Sequence, residues 1–173
     1  IALFSDHGFH LGEKERWAKR SLWEDGTRVP IIVAAPGYKG GQKTDRPAEL
    51  LDIFPTLLEL AGLPADAKQE GQSLIPLMKN PQKEWNHPAI TSFGLGNYSV
   101  RSSRYRFIQY HDGSREMYDL KKDPHEWNNL IKNPKMKSAI VEHAAFIPKK
   151  QHPILPGNST GHNAYKAANA NIT

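Results

Sequence analysis

The sequence contains no cysteine, and other features that would assign a function class are missing with it. Without cysteine there is no disulfide framework, no thiolate metal site and no cysteine nucleophile. No apolar run approaches the roughly 20 residues that a membrane-spanning helix needs. The formal charge is +5, yet runs of Lys or Arg never exceed two residues and no aromatic ladder accompanies them. This pattern argues against nucleic acid as a partner. It favours an anionic substrate or a solvated basic surface.

What is present is the composition of a folded chain. Hydrophobic residues make up 38% of the 173 positions and charged residues 24%. These values suit one domain with a real core, or a piece of a larger domain.

The first half of the sequence predicts an α/β arrangement. The apolar runs Ile1–Phe4 and Val29–Gly37 are typical of buried strands, and Glu13–Arg20 between them predicts one or two helical turns. In "LLDIFPTLLELAGLP", Asp52 is a good helix N-cap and Gly62 followed by proline is a stop signal. We therefore expect a helix between these two residues that packs on the core.

The second half changes in character. Partial alternation of aromatic and β-branched residues predicts strands near Tyr98–Ser102, Tyr105–Tyr110 and Glu116–Asp119. "HDGS", residues 111–114, is a hairpin signal between the last two. A helix is expected over Pro134–Ile147. The remaining residues, 151–173, have little apolar content and predict an irregular tail.

The stretch "SDHGFHLGEKERWAKR" carries the most chemistry. Asp6 and His7 follow a buried strand, which is where open α/β sheets place their ligands, and Gly8 permits the turn that lets both side chains reach one metal ion. Carboxylate with imidazole favours zinc, manganese or iron over calcium. Lys19 could pair with a tetrahedral anion held at that metal. The alternative is a capping aspartate, a locally packed histidine and a solvent-facing lysine.

Other charged residues nearby are weaker candidates. His10 is a candidate for the substrate side of the site. With Lys14 and Arg16, however, it also suits a rim or surface position. Glu24 and Arg28 have opposite charges just before the second strand and predict a structural ion pair that supports the site.

Four segments together resemble the C-terminal part of a type I sulfatase of the alkaline phosphatase superfamily, near its iduronate-2-sulfatase-like and choline-sulfatase-like members. They cover roughly residues 1–135 in an order typical of the family. The segments are "SDHGFHLGEKERWAKRSLWEDGTRVPIIVAAPG", "LLDIFPTLLELAGLP", "EGQSLIPLMKNP" and "VRSSRYRFIQYHDGSREMYDLKKDPHEWNNL".

The resemblance implies a fold and a division of the chain. The fold is α/β, with the end of a large mixed sheet flanked by helices, as in alkaline phosphatase, followed by a small antiparallel sheet with a C-terminal helix. Residues 1–90 would belong to the catalytic α/β domain, 91–150 to the small subdomain with its helix, and 151–173 to the tail.

The resemblance also implies roles. Asp6 and His7 match metal ligands, with Ca²⁺ the usual ion and Zn²⁺ or Mn²⁺ the alternatives. Lys19 matches the residue that contacts the sulfate, and Glu24 and Arg28 match the framework around it. The substrate would be a sulfated small molecule or glycan, and the family implies a periplasmic or secreted location.

The family's nucleophile is a formylglycine made from Cys or Ser in a C/S-x-P-x-R motif, and neither form of that motif occurs here. We therefore expect the formylglycine to lie outside this chain. The missing N-terminal part of the sulfatase would supply it, and the chain alone would be inactive. Two alternatives stay open: a metal-dependent phosphodiesterase or phosphonate hydrolase of the same superfamily, and a non-catalytic binding module derived from a sulfatase.

Overall fold

Two separate β-sheets organise residues 1–150, which are the residues that the computed structural model describes. The first sheet pairs two short antiparallel strands, β1 (Ala2–Phe4) and β2 (Ile31–Val33). The second is fully antiparallel, with its strands side by side in chain order. Its strands are β3 (Ala89–Ser92), β4 (Tyr98–Arg101), β5 (Tyr105–Gln109) and β6 (Arg115–Asp119).

In the described part of the chain, four short α-helices lie around these sheets: α1 (Glu24–Thr27), α2 (Ile53–Leu60), α3 (Ile75–Lys79) and α4 (Lys137–Ala144). The helix expected from "LLDIFPTLLELAGLP" is confirmed as α2, but its expected packing on the core is only partial among the described residues: Ile53 and Thr56 are buried, whereas Phe54 and Leu57 are 58% and 42% exposed. Two residues after the helix ends, Gly62 has a left-handed φ of 68°, and the amide of Leu63 donates back to the carbonyl of Leu58 at 3.0 Å. A glycine suits this position because it adopts left-handed φ without a steric penalty.

The antiparallel sheet has the best-formed core. Val100, Phe107, Ile108 and Met117 are all fully buried. The predicted hairpin joins β5 to β6, where Gly113 has a φ of 83°. All three predicted strands are present, while β3 was not predicted. The predicted C-terminal helix is also confirmed, as a 3₁₀ turn at Pro134–Met136 that continues into α4.

The first sheet differs from its prediction. Leu3 and Phe4 are 54% and 50% exposed, and Ile32 is 58% exposed, so β1 and β2 are not buried within the described residues. Among these residues each strand pairs only with the other, whereas a buried strand needs both neighbours in its sheet and cover on its faces.

Two local predictions were wrong. Glu13–Arg20 does not form regular helical turns. Its only helical part is a 3₁₀ turn at Glu13–Glu15, interrupted by Lys14 with a φ of 55°. The Asp52 side chain does not cap α2, because a 3₁₀ turn at Leu50–Asp52 continues directly into the helix. The Asp52 carboxylate instead accepts hydrogen bonds from the amides of Glu49, at 2.8 Å, and Gln72, at 2.7 Å.

Two other expectations stay predictions. The predicted tail lies outside the described residues, and nothing in the structure tests the division at residues 90 and 150. Within residues 1–150, no helix is both long and apolar enough to cross a membrane.

Candidate functional site

Three of the predicted site residues come together at the end of β1. The Lys19 ammonium lies 2.8 Å from Nε2 of His7, and that nitrogen lies 3.6 Å from an Asp6 carboxylate oxygen. Lys19 is twelve residues further along the chain, so only the folding of residues 5–28, here called the lysine loop, brings it back. A cation, an imidazole and a carboxylate thus share one small region.

The ring of His7 has a defined orientation. Its Nδ1 lies 2.8 Å from the carbonyl oxygen of Gly8, and this contact requires the Nδ1–H to donate. Nε2 is then the acceptor, and it faces Asp6 and Lys19. A backbone carbonyl that fixes the tautomer in this way is typical of metal-binding histidines. The geometry of Asp6 and His7 therefore suits a shared divalent ion, which would take the place of the Lys19 ammonium at Nε2.

Two glycines make the lysine loop possible. A Cβ at Gly8 would lie 2.0 Å from the carbonyl oxygen of Asp25, and the Gly8 amide donates to the carbonyl of Gly26 at 3.1 Å. A Cβ at Gly26 would lie 2.4 Å from Oγ of Ser21. Any larger residue at either position would push the two sides of the loop apart and displace His7 from Lys19.

The site opens into a cavity of about 1190 Å³. Asp6, His7 and Lys19 all line it, and basic side chains outnumber acidic ones around its wall. The basic residues are Lys19, Arg20, Arg28, Lys39, Lys43, Arg46, Arg101 and Arg106. The acidic ones are Asp6, Glu24, Asp45 and Glu49. Such a lining attracts an anionic ligand.

Glu24 links the lysine loop, to which it belongs, to the antiparallel sheet through ion pairs. Its side chain is 9% exposed, and the predicted pair with Arg28 is present at 3.8 Å. Its stronger partner is Arg106 on β5, with Arg101 on β4 at 3.5 Å. Burial alone would raise the pKa of Glu24, but the two strand arginines outweigh it and lower that pKa.

Arg106 connects the antiparallel sheet to the lysine loop. Its side chain is 3% exposed and donates to the carbonyl of Leu22 at 2.9 Å and to Oγ of Ser99 at 2.6 Å. Nε also makes a 2.7 Å ion pair with Glu126, although the angle is not that of a hydrogen bond. Burial raises the pKa of Glu126, and the charge of Arg106 only partly offsets this.

Sequence reasoning missed Arg106 and Glu126. The one available signal was an arginine at a core position of a predicted strand, which requires a buried partner. That signal does not say which carboxylates are the partners, because they lie 82 and 20 residues away along the chain.

His10 was predicted at the substrate side, and the structure does not bring it to the cavity. Its side chain is fully buried, and its Nε2 lies 2.7 Å from Oγ of Ser21. Lys14 is not the surface group that the sequence suggested. Its ammonium lies 4.9, 4.8 and 5.7 Å from the ring centres of Trp23, Tyr118 and Trp127.

Similarity to known proteins in sequence and in structure defines the class of this chain. A sulfatase from Formosa agariphila is 46% identical over 149 residues, which cover 86% of this chain and 29% of the relative. A Δ4,5-hexuronate-2-O-sulfatase from Bacteroides thetaiotaomicron is 33% identical, with coverage of 85% and 33%. A protein solved in complex with its substrate D-glucosamine-2-N,6-O-disulfate superposes with a TM-score of 0.74 at 28% identity, over 84% of this chain and 32% of that one. The expected alkaline-phosphatase-like sulfatase fold is confirmed.

The family follows from a family model that matches most of the chain. Residues 12–151 match "N-sulphoglucosamine sulphohydrolase, C-terminal", and the chain belongs to that family. The chain spans about a third of the length of the relatives that it matches.

Proposed function

We propose that this chain forms part of a sulfuric ester hydrolase, in which Lys19 contacts the sulfate group and Asp6 and His7 hold a divalent metal ion. The observation that carries the proposal is the convergence of these three side chains at the rim of one cavity, with Lys19 2.8 Å from His7. A sulfate ester is a tetrahedral anion. An ammonium beside a metal-bound carboxylate and imidazole would stabilise the charge that develops on its oxygens.

The ion would be Ca²⁺, as the family resemblance implies, with Zn²⁺ or Mn²⁺ as alternatives that an imidazole ligand favours. Asp6 and His7 provide two ligands, and further ligands would come from outside this chain. When present, a formylglycine from outside the chain supplies the nucleophile. The residues of this chain would orient the sulfate and neutralise its charge.

Sulfated sugars are the proposed substrate class. The support comes from the relatives, one of which is a hexuronate-2-O-sulfatase and another of which binds a disulfated glucosamine as its substrate. The basic wall of the cavity suits such polyanions. A periplasmic or secreted location, where sulfated glycans are accessible, is part of the same proposal.

The test uses the complete protein with its formylglycine in place. Lys19→Ala is expected to lower turnover of an aryl sulfate by about 10²–10³-fold, as losing one transition-state contact typically does, with the circular dichroism spectrum unchanged. Lys39→Ala is the matched control, because Lys39 lines the same cavity but is not among the described contacts of Asp6 and His7. Asp6→Ala should lower both turnover and metal content in elemental analysis.

Three results would overturn the proposal. Equal losses in the Lys19 and Lys39 variants would assign Lys19 no special role. Preference of the wild type for an aryl phosphodiester, with zinc bound, would favour the phosphodiesterase or phosphonate hydrolase alternative. Binding of sulfated glycan without any turnover would favour the non-catalytic module.

A further inference from the structure

A second cluster of metal-ligating side chains lies within the lysine loop, away from the cavity. His10, Glu13 and Asp25 each offer one donor atom, and the three atoms lie within 4.8 Å of one another. None of these residues lines the cavity that Asp6, His7 and Lys19 share. The cluster is therefore separate from the site assigned above.

An independent observation points to a ligand here. The His10 side chain is fully buried, yet its Nδ1 has no hydrogen-bond partner among the described residues. The other ring nitrogen is already in contact with Ser21, and Trp23 packs edge-on at 6.1 Å between ring centres. The ring is thus held in place with an unpartnered nitrogen 4.0 Å from the carboxylate of Asp25. Buried polar atoms almost always have a partner, so this nitrogen requires an explanation.

We propose that His10, Glu13 and Asp25 form a second divalent metal site, which binds Zn²⁺ or Mn²⁺. One imidazole with two carboxylates suits these borderline ions better than Ca²⁺, which prefers oxygen ligands alone.

The distances are compatible with this site after a small movement. Ligand atoms lie about 2.1 Å from zinc, so two ligands of one ion are at most about 4.2 Å apart. The three donor atoms lie within 4.8 Å of one another. The carboxylates of Glu13 and Asp25 are partly exposed, so they have room to move the few tenths of an ångström that an ion would require. Water would complete the coordination.

The proposed ion has a structural role. His10 and Glu13 lie on the segment of the lysine loop before Lys19, whereas Asp25 lies after it, on α1 beside Glu24. An ion bound by both segments would close the loop and limit the movement of Lys19. Its effect on catalysis would be indirect, through positioning.

The experiment counts metal ions on the complete protein. Protein stripped with a chelator is titrated with Zn²⁺ alone by calorimetry, and ions retained after gel filtration are measured by elemental analysis. Wild type is expected to bind one ion more than Glu13→Gln/Asp25→Asn. The matched control, Glu15→Gln, removes an exposed carboxylate from the same 3₁₀ turn and should bind as wild type does. Asp6→Asn should lose the other ion only.

The single Glu13→Gln variant tests the proposal even if the double variant misfolds, because Glu13 is only half-buried and glutamine has nearly the same shape. It should weaken the second Zn²⁺ site by at least about 10-fold, with the circular dichroism spectrum unchanged. Lys19→Ala should keep this ion, so failure of the sulfatase assignment would not affect the result. Unchanged Zn²⁺ stoichiometry and affinity in both cluster variants would overturn the proposal, as would a single wild-type ion that disappears in Asp6→Asn.

Discussion

The lysine loop and the antiparallel sheet hold their residues in place in opposite ways. The sheet buries Val100, Phe107, Ile108 and Met117 completely and pairs four strands in register. The lysine loop contains only a 3₁₀ turn and the four-residue α1, and it exposes Trp17 at 73% and Leu11 at 64%. Hydrophobic burial therefore stabilises the sheet, while close backbone contacts and ion pairs fix the loop.

This difference explains how the candidate site residues are held in position. The loop that carries the proposed site residues has little core of its own, and it is attached to the part of the chain that has one. Leu22 packs against Ile108 and Tyr118 of the sheet, and Arg106 reaches Glu24 from β5. Loops positioned by a rigid scaffold commonly carry function for this reason.

The largest effect is expected where the two regions meet. Arg106→Met removes the cation nearest to the buried carboxylates of Glu24 and Glu126, and breaking a buried pair typically costs about 3–5 kcal/mol in free energy of unfolding. Turnover should also fall, because the lysine loop loses its support. Urea denaturation and aryl sulfate kinetics of the complete protein measure the two effects. Arg115→Met, at an exposed position of β6, should change neither.

A similar loss of stability, without the loss of turnover, is expected inside the sheet. Phe107→Ala removes a fully buried ring, and such truncations cost about 3–5 kcal/mol. Turnover per folded molecule should stay near normal, because Phe107 does not line the cavity. The control is Val141→Ala, at a position that is 65% exposed. Equal loss of turnover in the Phe107 and Arg106 variants would remove the distinction between the two regions.

An intermediate effect is expected for Lys14. Its ammonium lies among three aromatic rings, two of them outside the lysine loop, and it donates to the carbonyl of Glu126. Lys14→Met keeps most of the apolar stem but removes the charge, and should lower the free energy of unfolding by about 1–2 kcal/mol. Lys132→Met, an exposed lysine, serves as the control for thermal unfolding. No difference between the two variants would contradict the assigned role.

The smallest effect is expected for an ion pair on the sheet. Hydrogen bonds from Arg104, at 2.7 and 3.1 Å, lower the pKa of Asp119 below its ordinary value of 3.8. A carboxyl with a lowered folded-state pKa stabilises the fold above the unfolded-state pKa and loses that contribution as pH falls through the folded-state value. Asp119→Asn should therefore make stability less steeply dependent on pH below about 4. Because Arg104 is 45% exposed, 1 M salt should reduce the difference from wild type. An unchanged acid-unfolding profile would show that the pair contributes nothing.

Local signals in the sequence predicted much of the fold. Hairpin residues such as Gly113, the stop at Gly62 and the alternating strands need only short-range information, and each was confirmed. The lysine loop was predicted less well. Its conformation depends on close backbone contacts at Gly8 and Gly26 and on a left-handed Lys14, which helix propensity does not describe.

The sequence by itself determined the family, through the resemblance of its four segments to sulfatases. It also indicated the α/β class and the candidate residues Asp6, His7 and Lys19, through motifs and periodicity. Only the tertiary structure decided that Lys19 reaches His7, that Arg106 holds Glu24, and that His10 is buried beside Asp25 rather than facing the cavity. The physical reason is that each contact joins residues distant along the chain. Which charge neutralises which depends on how the loop packs on the sheet, and no local pattern encodes that.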